Sequence, residues 1–362
     1  MKKNFSKNTI LLFVLGFILS GCFFPFFPET STTNAYISKP VGISSPPIQN
    51  NASLRFSIKQ MQALNMDLIR IGSSWEQREP HPGEYYWKPL DERISALDEN
   101  GVSIMFTIPA SGPDWVCSEK TEKGTCVFQD DDAFRTYLTA LLTRYKGKIA
   151  KVQFGNEWDN LSWYPGTAQE FVHFNNILFD VVRKVAPEMQ VVLGGLTSAY
   201  PISVTVCEQG NTLSFESLDL KPNVDLAAQI QRQVCSRSDL PARVEHIMEN
   251  ASYDLIDLHL YDLSAYWPEF VDIVRELSDK PLIVSEFGGP SSSFERYSHA
   301  YQANRLEDYL LTIQSLPIEE AYYFNLVDNP TTYHSHSGLF TILRLKKDAF
   351  YVMQNMLASH DN

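Results

Sequence analysis

Two glutamates carry the chemistry this chain offers. Glu157 lies in KVQFGNEWDN, Lys151 to Asn160, where a short apolar run passes into an Asn-Glu pair followed by Trp158; Glu286 closes a second apolar run in PLIVSEFGG. A carboxyl group at the point where a strand leaves its sheet sits in a cleft, where it can give or take a proton. Two such groups, one holding its proton and one ionised, can flank a sugar ring as acid and nucleophile, the arrangement that breaks a glycosidic bond with retention. The ionised partner needs a cation nearby, and Arg70, in DLIRIG, supplies one.

The elements that must position these groups alternate between short apolar runs and amphipathic stretches of helical length, the pattern of βα units and a parallel sheet. Strands are predicted at 41–44, 67–72, 102–108, 149–155, 190–194, 255–261, 282–286 and 321–326, and helices at 56–66, 90–100, 132–145, 168–185, 241–250, 268–278, 297–315 and 346–357. Eight units argue for an α/β fold of the closed (β/α)8 barrel type, a single domain over 41–362 with elaborated loops at its C-terminal face, in preference to a doubly wound open sheet. Neither glycine-rich phosphate-loop pattern occurs, and Gly194-Gly195 and Gly288-Gly289 read as turn glycines, so no nucleotide and no other cofactor is expected.

In such a barrel function sits at the carboxyl ends of the strands. A period of two puts Asp257, His259 and Tyr261 of LIDLHLY on one side of strand six, and it puts Glu286 in phase with Leu282 and Val284, facing the axis. Asp257, below His259, reads as a structural charge with a partner such as an arginine. An ideal strand would point Asn156 and Glu157 to opposite sides, so for both to reach one sugar strand four must twist or bulge at its end. Five of the six tryptophans, Trp75, Trp115, Trp158, Trp163 and Trp267, follow predicted strands, where they could line a cleft as apolar faces for sugar rings or pack loops onto the barrel. His334 and His336 form an H-x-H that reads as a rim or substrate contact in preference to a metal site. Glu157, His259 and Glu286 could also hold a divalent ion, but Asn156, Arg70 and Tyr261 suit metal-free chemistry better, so no metal is expected.

The address is legible too. Residues 1–21 carry Lys2, Lys3 and Lys7 and then an apolar run from Ile10 to Leu19, the form of a secretory signal. Leu19-Ser20-Gly21-Cys22 resembles the bacterial lipobox, which implies cleavage before Cys22, a lipid on that cysteine, and Pro25 to Pro40 as a tether within 22–40. With Phe23 after Cys22, the rule for such proteins implies outer-membrane sorting in a Gram-negative cell. Losing residues 1–21 removes three lysines and no acid, taking the formal charge from −13 to −16. So acidic a surface repels phosphate backbones, which excludes nucleic acid as a partner and leaves membrane contact to the lipid. Cys117, Cys126, Cys207 and Cys235 make an even set in an exported chain; pairing 117 with 126 and 207 with 235 closes two local loops. The long stretch from Thr197 to Asp239 reads as a rim flap.

Together these residues resemble the clan A glycoside hydrolases, retaining (β/α)8 enzymes such as cellulases, mannanases and β-xylosidases. The resemblance implies that Glu157 is the acid/base, Glu286 the nucleophile and Arg70 the nucleophile's cation. It also implies that Asn156 binds the sugar 2-hydroxyl, that His259 and Tyr261 form the strand-six pair, and that a carbohydrate is the substrate. Trp75 to Asp91, WEQREPHPGEYYWKPLD, resembles the W-x-x-x-E-P-x-x-G-x-Y turn of several members, and Ser337-Gly338-Leu339-Phe340 the segment after strand eight. The clan usually ends strand eight with a Trp beneath the sugar; AYYFNLVDNP offers Tyr323, Phe324 or Asn325 there, with Phe324 the expected platform beside Trp75, Trp115 and Trp158.

Overall fold

A computed structural model describes residues 36–117, 119–213, 226–291 and 297–358, with the backbone alone at 226 and 227. The signal, Cys22 and most of the tether lie outside the described residues. Eight parallel strands close a barrel in sequence order, β1-β2-β3-β4-β5-β6-β7-β8. They are β1 (Val41–Ser44), β2 (Leu68–Gly72), β3 (Ser103–Ile108), β4 (Ile149–Phe154), β5 (Gln190–Leu196), β6 (Leu255–Tyr261), β7 (Leu282–Gly288) and β8 (Ala321–Phe324).

The helices that cover it are α1 (Asn51–Ala63), α3 (Lys88–Glu99), α4 (Asp131–Arg144), α5 (Ala168–Val185), α8 (Leu240–Asn250), α9 (Trp267–Glu276), α10 (His299–Ser315) and α11 (Asp348–Leu357), each within a few residues of its predicted position. Local chemistry fixes several starts. Asn50 and Asp130 accept N–H bonds as caps of α1 and α4, and Thr167 with Glu170 forms a full capping box on α5. Among the described residues, three further α-helices lie outside the expected set: α2 (Trp75–Arg78), α6 (Ala199–Ser203) and α7 (Leu226–Cys235).

Alternation along the strands builds two separate interiors. Ile69, Ile71, Phe106, Val152, Phe154, Leu258 and Leu260 belong to the apolar layer between sheet and helices. Leu68, Met105, Val192, Leu255, Ile283 and Tyr322 form a second buried cluster that plugs the barrel floor. Gly42 makes that plug possible, because a Cβ there would lie 2.5 Å from the Leu68 Cβ. Above the plug the inward positions turn polar: Arg70, Gln153, Asp257 and Ser285 are all buried.

Strand seven departs from the expected phase. Leu282 and Val284 join the helix-facing layer while Ile283 joins the plug, so a strict period of two would turn Glu286 toward the helices. An irregularity prevents this. Asp257 pairs with Ile283 but His259 pairs with Glu286, two residues of β6 against three of β7, and the extra residue returns Glu286 to the axis.

The Trp75 segment is a structural knot. The Trp75 indole N–H donates to Glu79 Oε2 at 2.6 Å, and Gly83 N–H donates to Glu79 Oε1 at 2.8 Å, so one buried carboxylate ties the turn at both ends. Trp75 is fully buried and stacks on Tyr137 of α4. Cys117 is bonded to Cys126 and Cys207 to Cys235, the two local pairings expected.

Candidate active site

The polar layer converges at the carboxyl ends of β2, β4, β6 and β7. Arg70 is buried and spends its guanidinium on the site: Nη1 donates to Glu286 Oε1 at 2.5 Å, Nη2 to Asn156 Oδ1 at 2.6 Å and Nε to Gln153 Oε1 at 3.3 Å. Tyr261 donates its hydroxyl to the other oxygen of Glu286, also at 2.5 Å. His259 links the pair, with Nδ1 3.2 Å from Glu157 Oε1 and 3.7 Å from Glu286 Oε2. One oxygen from each glutamate and one His259 nitrogen all lie within 4.8 Å of one another.

Glu157 reaches this cluster because strand four does bend. Gly155 has φ 71° and Glu157 itself φ 46°, left-handed values that reverse the direction of successive side chains just past the last strand residue. Glu157 thereby faces the cleft beside Asn156, and Trp158 is thrown outward onto Phe171 of α5. Two arginines, one of them buried, hold the loop that follows. Arg243 of α8 donates to the carbonyls of Trp158, Tyr164 and Gly166, and Arg237 donates to the carbonyl of Asp159. Gly195, at the end of β5, closes in from the other side with φ 74°, and a Cβ on it would stand 2.5 Å from the Glu157 backbone nitrogen. Gly194 and Gly195 are thus parts of strand five, not a turn. Gly195→Ala is expected to displace Glu157, lowering turnover by about 100-fold and stability by about 1–3 kcal/mol; wild-type kcat in that variant would contradict this packing.

Charge is distributed unequally. Burial favours the neutral form of Glu286, but the His259 charge, the Arg70 guanidinium and the Tyr261 and Arg70 hydrogen bonds outweigh it, holding the carboxyl below its usual range. Burial also opposes charge on His259, yet Glu286, Asp257 and Glu157 around it raise its pKa to about 10. Asp257 supports it from below, bound by Ser285 N–H at 2.7 Å, Ser285 Oγ at 2.5 Å and Gly195 N–H at 2.9 Å. Its partners are therefore backbone, hydroxyl and Gln153 amide donors and the His259 ring, Nε2 3.6 Å away, in place of the expected arginine, because Arg70 is already committed to Glu286.

These directions set a pH window. A depressed Glu286 contributes stability that is present above its ordinary pKa and lost as acid titrates it. A raised His259 contributes stability that is complete below about 6.5 and lost as pH rises through about 10. Thermal stability is expected to fall on both flanks, and His259→Gln to flatten the alkaline one. An unchanged alkaline flank would rule out a charged His259.

The cleft above the pair, about 780 Å³, is lined by Arg70, Asn156, Glu157, Tyr261, Glu286 and Phe324 among others, so these expected residues do come together. The tryptophans mostly do not. Trp75, Trp158 and Trp267 are fully buried in the helix layer, and Trp115 packs edge-on against Trp75. Of the five only Trp163 lines the cleft, with the Lys123 ammonium 4.1 Å from its ring centre. Burying an indole among helices removes more apolar surface from water than a cleft wall does, and the Trp75 knot and the turn at Glu157 direct two of them there. Phe324 ends β8 and lines the cleft together with Asn325, while Tyr323 is buried with its hydroxyl on the Ser337 carbonyl.

Two polar residues of the site were not singled out by sequence, whereas His334 was expected as a rim or substrate contact. Gln153 and Ser285 are polar residues within buried strands, a signal that was available. His334 comes from the loop after β8 and stacks on Tyr261, with ring centres 3.6 Å apart and planes 8° apart. Burial lowers its pKa to about 4, so the ring is neutral at ordinary pH. His336 stacks on Tyr297 instead, so the H-x-H pair does not converge on a metal. The cluster of Glu157, His259 and Glu286 has a spacing a divalent ion could bridge, and the Arg70 guanidinium binds Glu286 Oε1, away from the oxygen that faces His259.

Known proteins resemble this chain over part of its sequence and in its fold. A family model described as beta-galactosidase matches residues 46–152, a span that contains Arg70 and the Glu79 knot and ends short of Asn156. No curated protein sequence matches significantly. Among solved structures, an exo-beta-1,4-mannosidase from an Opitutaceae bacterium is 17% identical with a TM-score of 0.62, the match covering 88% of this chain and 59% of that one. A family 39 glycoside hydrolase from Bacteroides cellulosilyticus is 12% identical with a TM-score of 0.59, covering 88% and 63%. GH5_18 of Streptomyces cattleya, solved with GlcNAc, is 14% identical with a TM-score of 0.64, covering 89% and 80%. The chain thus spans less than two thirds of the first two relatives. At these identities the likeness is one of architecture: the chain carries the (β/α)8 barrel of these glycoside hydrolases, and residues 46–152 resemble the beta-galactosidase family.

Proposed function

We propose that this protein is a retaining β-glycoside hydrolase acting on an oligo- or polysaccharide, with Glu286 as nucleophile and Glu157 as acid/base. The observation that carries the reading is the approach of the two carboxyl groups, an oxygen of each within 4.8 Å of the other. Retaining enzymes hold their carboxyls about 5–5.5 Å apart, whereas inverting ones leave about 6.5–9.5 Å for a water. Arg70 and Tyr261 keep the Glu286 carboxylate charged and aimed, so it can attack the anomeric carbon while Glu157 protonates the departing oxygen. Glu157 then takes a proton from water, which attacks the same carbon and releases Glu286. Asn156, with its oxygen held by Arg70, has its amide N–H groups left to bind a sugar hydroxyl.

The named relatives act on different sugars, so the test is a panel of aryl β-galactosides, β-mannosides, β-xylosides and β-glucosides, with proton NMR of the first-formed sugar. A β-anomer that appears first supports the reading; an α-anomer would show inversion. Glycan binding without any turnover would instead favour a non-catalytic glycan-binding lipoprotein, and products longer than the substrate a transglycosylase. We also place the protein in the bacterial cell envelope, anchored by a lipid on Cys22. Cys22→Ser is expected to move it from the membrane to the soluble fraction; membrane retention would refute the anchor.

A further inference from the structure

The cleft has a second lobe. It measures about 460 Å³ and opens toward β5, β6 and α7. Glu157, Tyr261, Tyr333 and His334 line both lobes, whereas Glu286 lines only the larger. A nucleophile must touch the anomeric carbon, so the reacting sugar occupies the lobe that contains Glu286. The leaving group must lie within reach of the proton on Glu157 and on the far side of the breaking bond from Glu286. Those two conditions select the second lobe.

Part of its lining is polar, including Thr197, Ser198, His259, Asp262 and Ser291, but one side is apolar. Ile202 of α6, Ile230 and Val234 of α7, and Leu263 just after β6 form an aliphatic side, and Gln229 and Gln233, one helical turn apart, edge it with amides. Phe324 and Trp163, rings on which a sugar could lie, belong to the other lobe. Among the described residues, no Trp, Tyr or Phe belongs to the second lobe alone. Its volume falls in the range of pockets that take drug-sized ligands. The wall is also anchored, since the bond between Cys207 and Cys235 ties the end of α7 back to the segment after α6.

Building on the glycosidase reading, we propose that this lobe is a leaving-group subsite that takes an apolar aglycone, a medium-length alkyl or terpenoid group, in preference to another sugar. Methyl, octyl and disaccharide leaving groups on the sugar chosen by the panel test it, because the ratio of kcat/KM values within one protein cancels the amount of active enzyme. Wild type should favour octyl over methyl by about tenfold or more, since each buried methylene is worth up to about fourfold. The double variant Ile230→Ser/Val234→Ser should bring that ratio toward one, and Gln233→Leu, which extends the aliphatic wall, should raise it. A disaccharide leaving group preferred over octyl, or the same octyl-to-methyl ratio in all three proteins, would overturn the proposal. Hydrolysis of the matching β-glycosyl fluoride, whose leaving group needs no subsite, separates the two ideas. If no fluoride is hydrolysed, the glycosidase reading has failed, and calorimetric binding of octyl and methyl glycosides judges the lobe without turnover: equal affinities would refute it.

Discussion

Glu286→Ala is expected to lower turnover of an aryl β-glycoside by about five orders of magnitude, the scale of removing a covalent nucleophile. The fold should survive, because the side chain sits at the top of the polar layer, above the apolar plug. Stability is expected to fall, because removing one partner of a buried ion pair leaves Arg70 and His259 short of a counter-charge, although Arg70 keeps Asn156, Gln153 and Ser44. Azide supplied to this variant should enter the vacated space and attack from the nucleophile's side, giving an α-glycosyl azide. A β-azide, or residual activity above about one percent of wild type, would remove Glu286 from the role.

Glu157→Ala has the second-largest expected effect, about 10²–10⁴-fold, the usual contribution of acid–base catalysis. Its signature is uneven. Substrates with an activated phenol as leaving group should react nearly normally in the first step, whereas poor leaving groups should fail, since only they require the proton. Azide should here attack the glycosyl-enzyme from the water side and give a β-azide. Equal losses across leaving groups would show that Glu157 only shapes the site, through its contact with His259.

Most of the barrel was legible because alternation and helical spacing are local properties, and packing rewards them unit by unit. β6 kept a period of two along its length, which is why Asp257, His259 and Tyr261 were correctly placed on one side. β7 did not, and its phase was misjudged: the extra residue opposite Asp257–His259 depends on how two strands pair, which one strand cannot reveal. Glu286 therefore faces the axis as expected, but through the irregularity and not through the parity argued for it. The need for a bend at Asn156-Glu157 was visible as a contradiction between two requirements, although only coordinates locate the bend in the φ of Gly155 and Glu157. The tryptophans misled because position after a strand does not set direction, and a single turn decides between cleft and helix layer. α6 and α7 escaped notice inside a long connection, and His334 is joined to Tyr261 only by tertiary contact.

The irregularity in β7 also has a consequence for recombination. Up to Ser285 the strand belongs to the barrel wall, and its side chains must match the parity of β6 and β8. From Glu286 onward the orientation is reset. A chimera that exchanges loops after β7 should therefore be spliced beyond Glu286, with Leu282 to Glu286 moved or kept as one cassette. A junction that dropped the extra residue would restore strict alternation from Ile283 and leave Glu286 on the axis opposite His259, and dropping Ser285 itself would strip Asp257 of its backbone and hydroxyl donors.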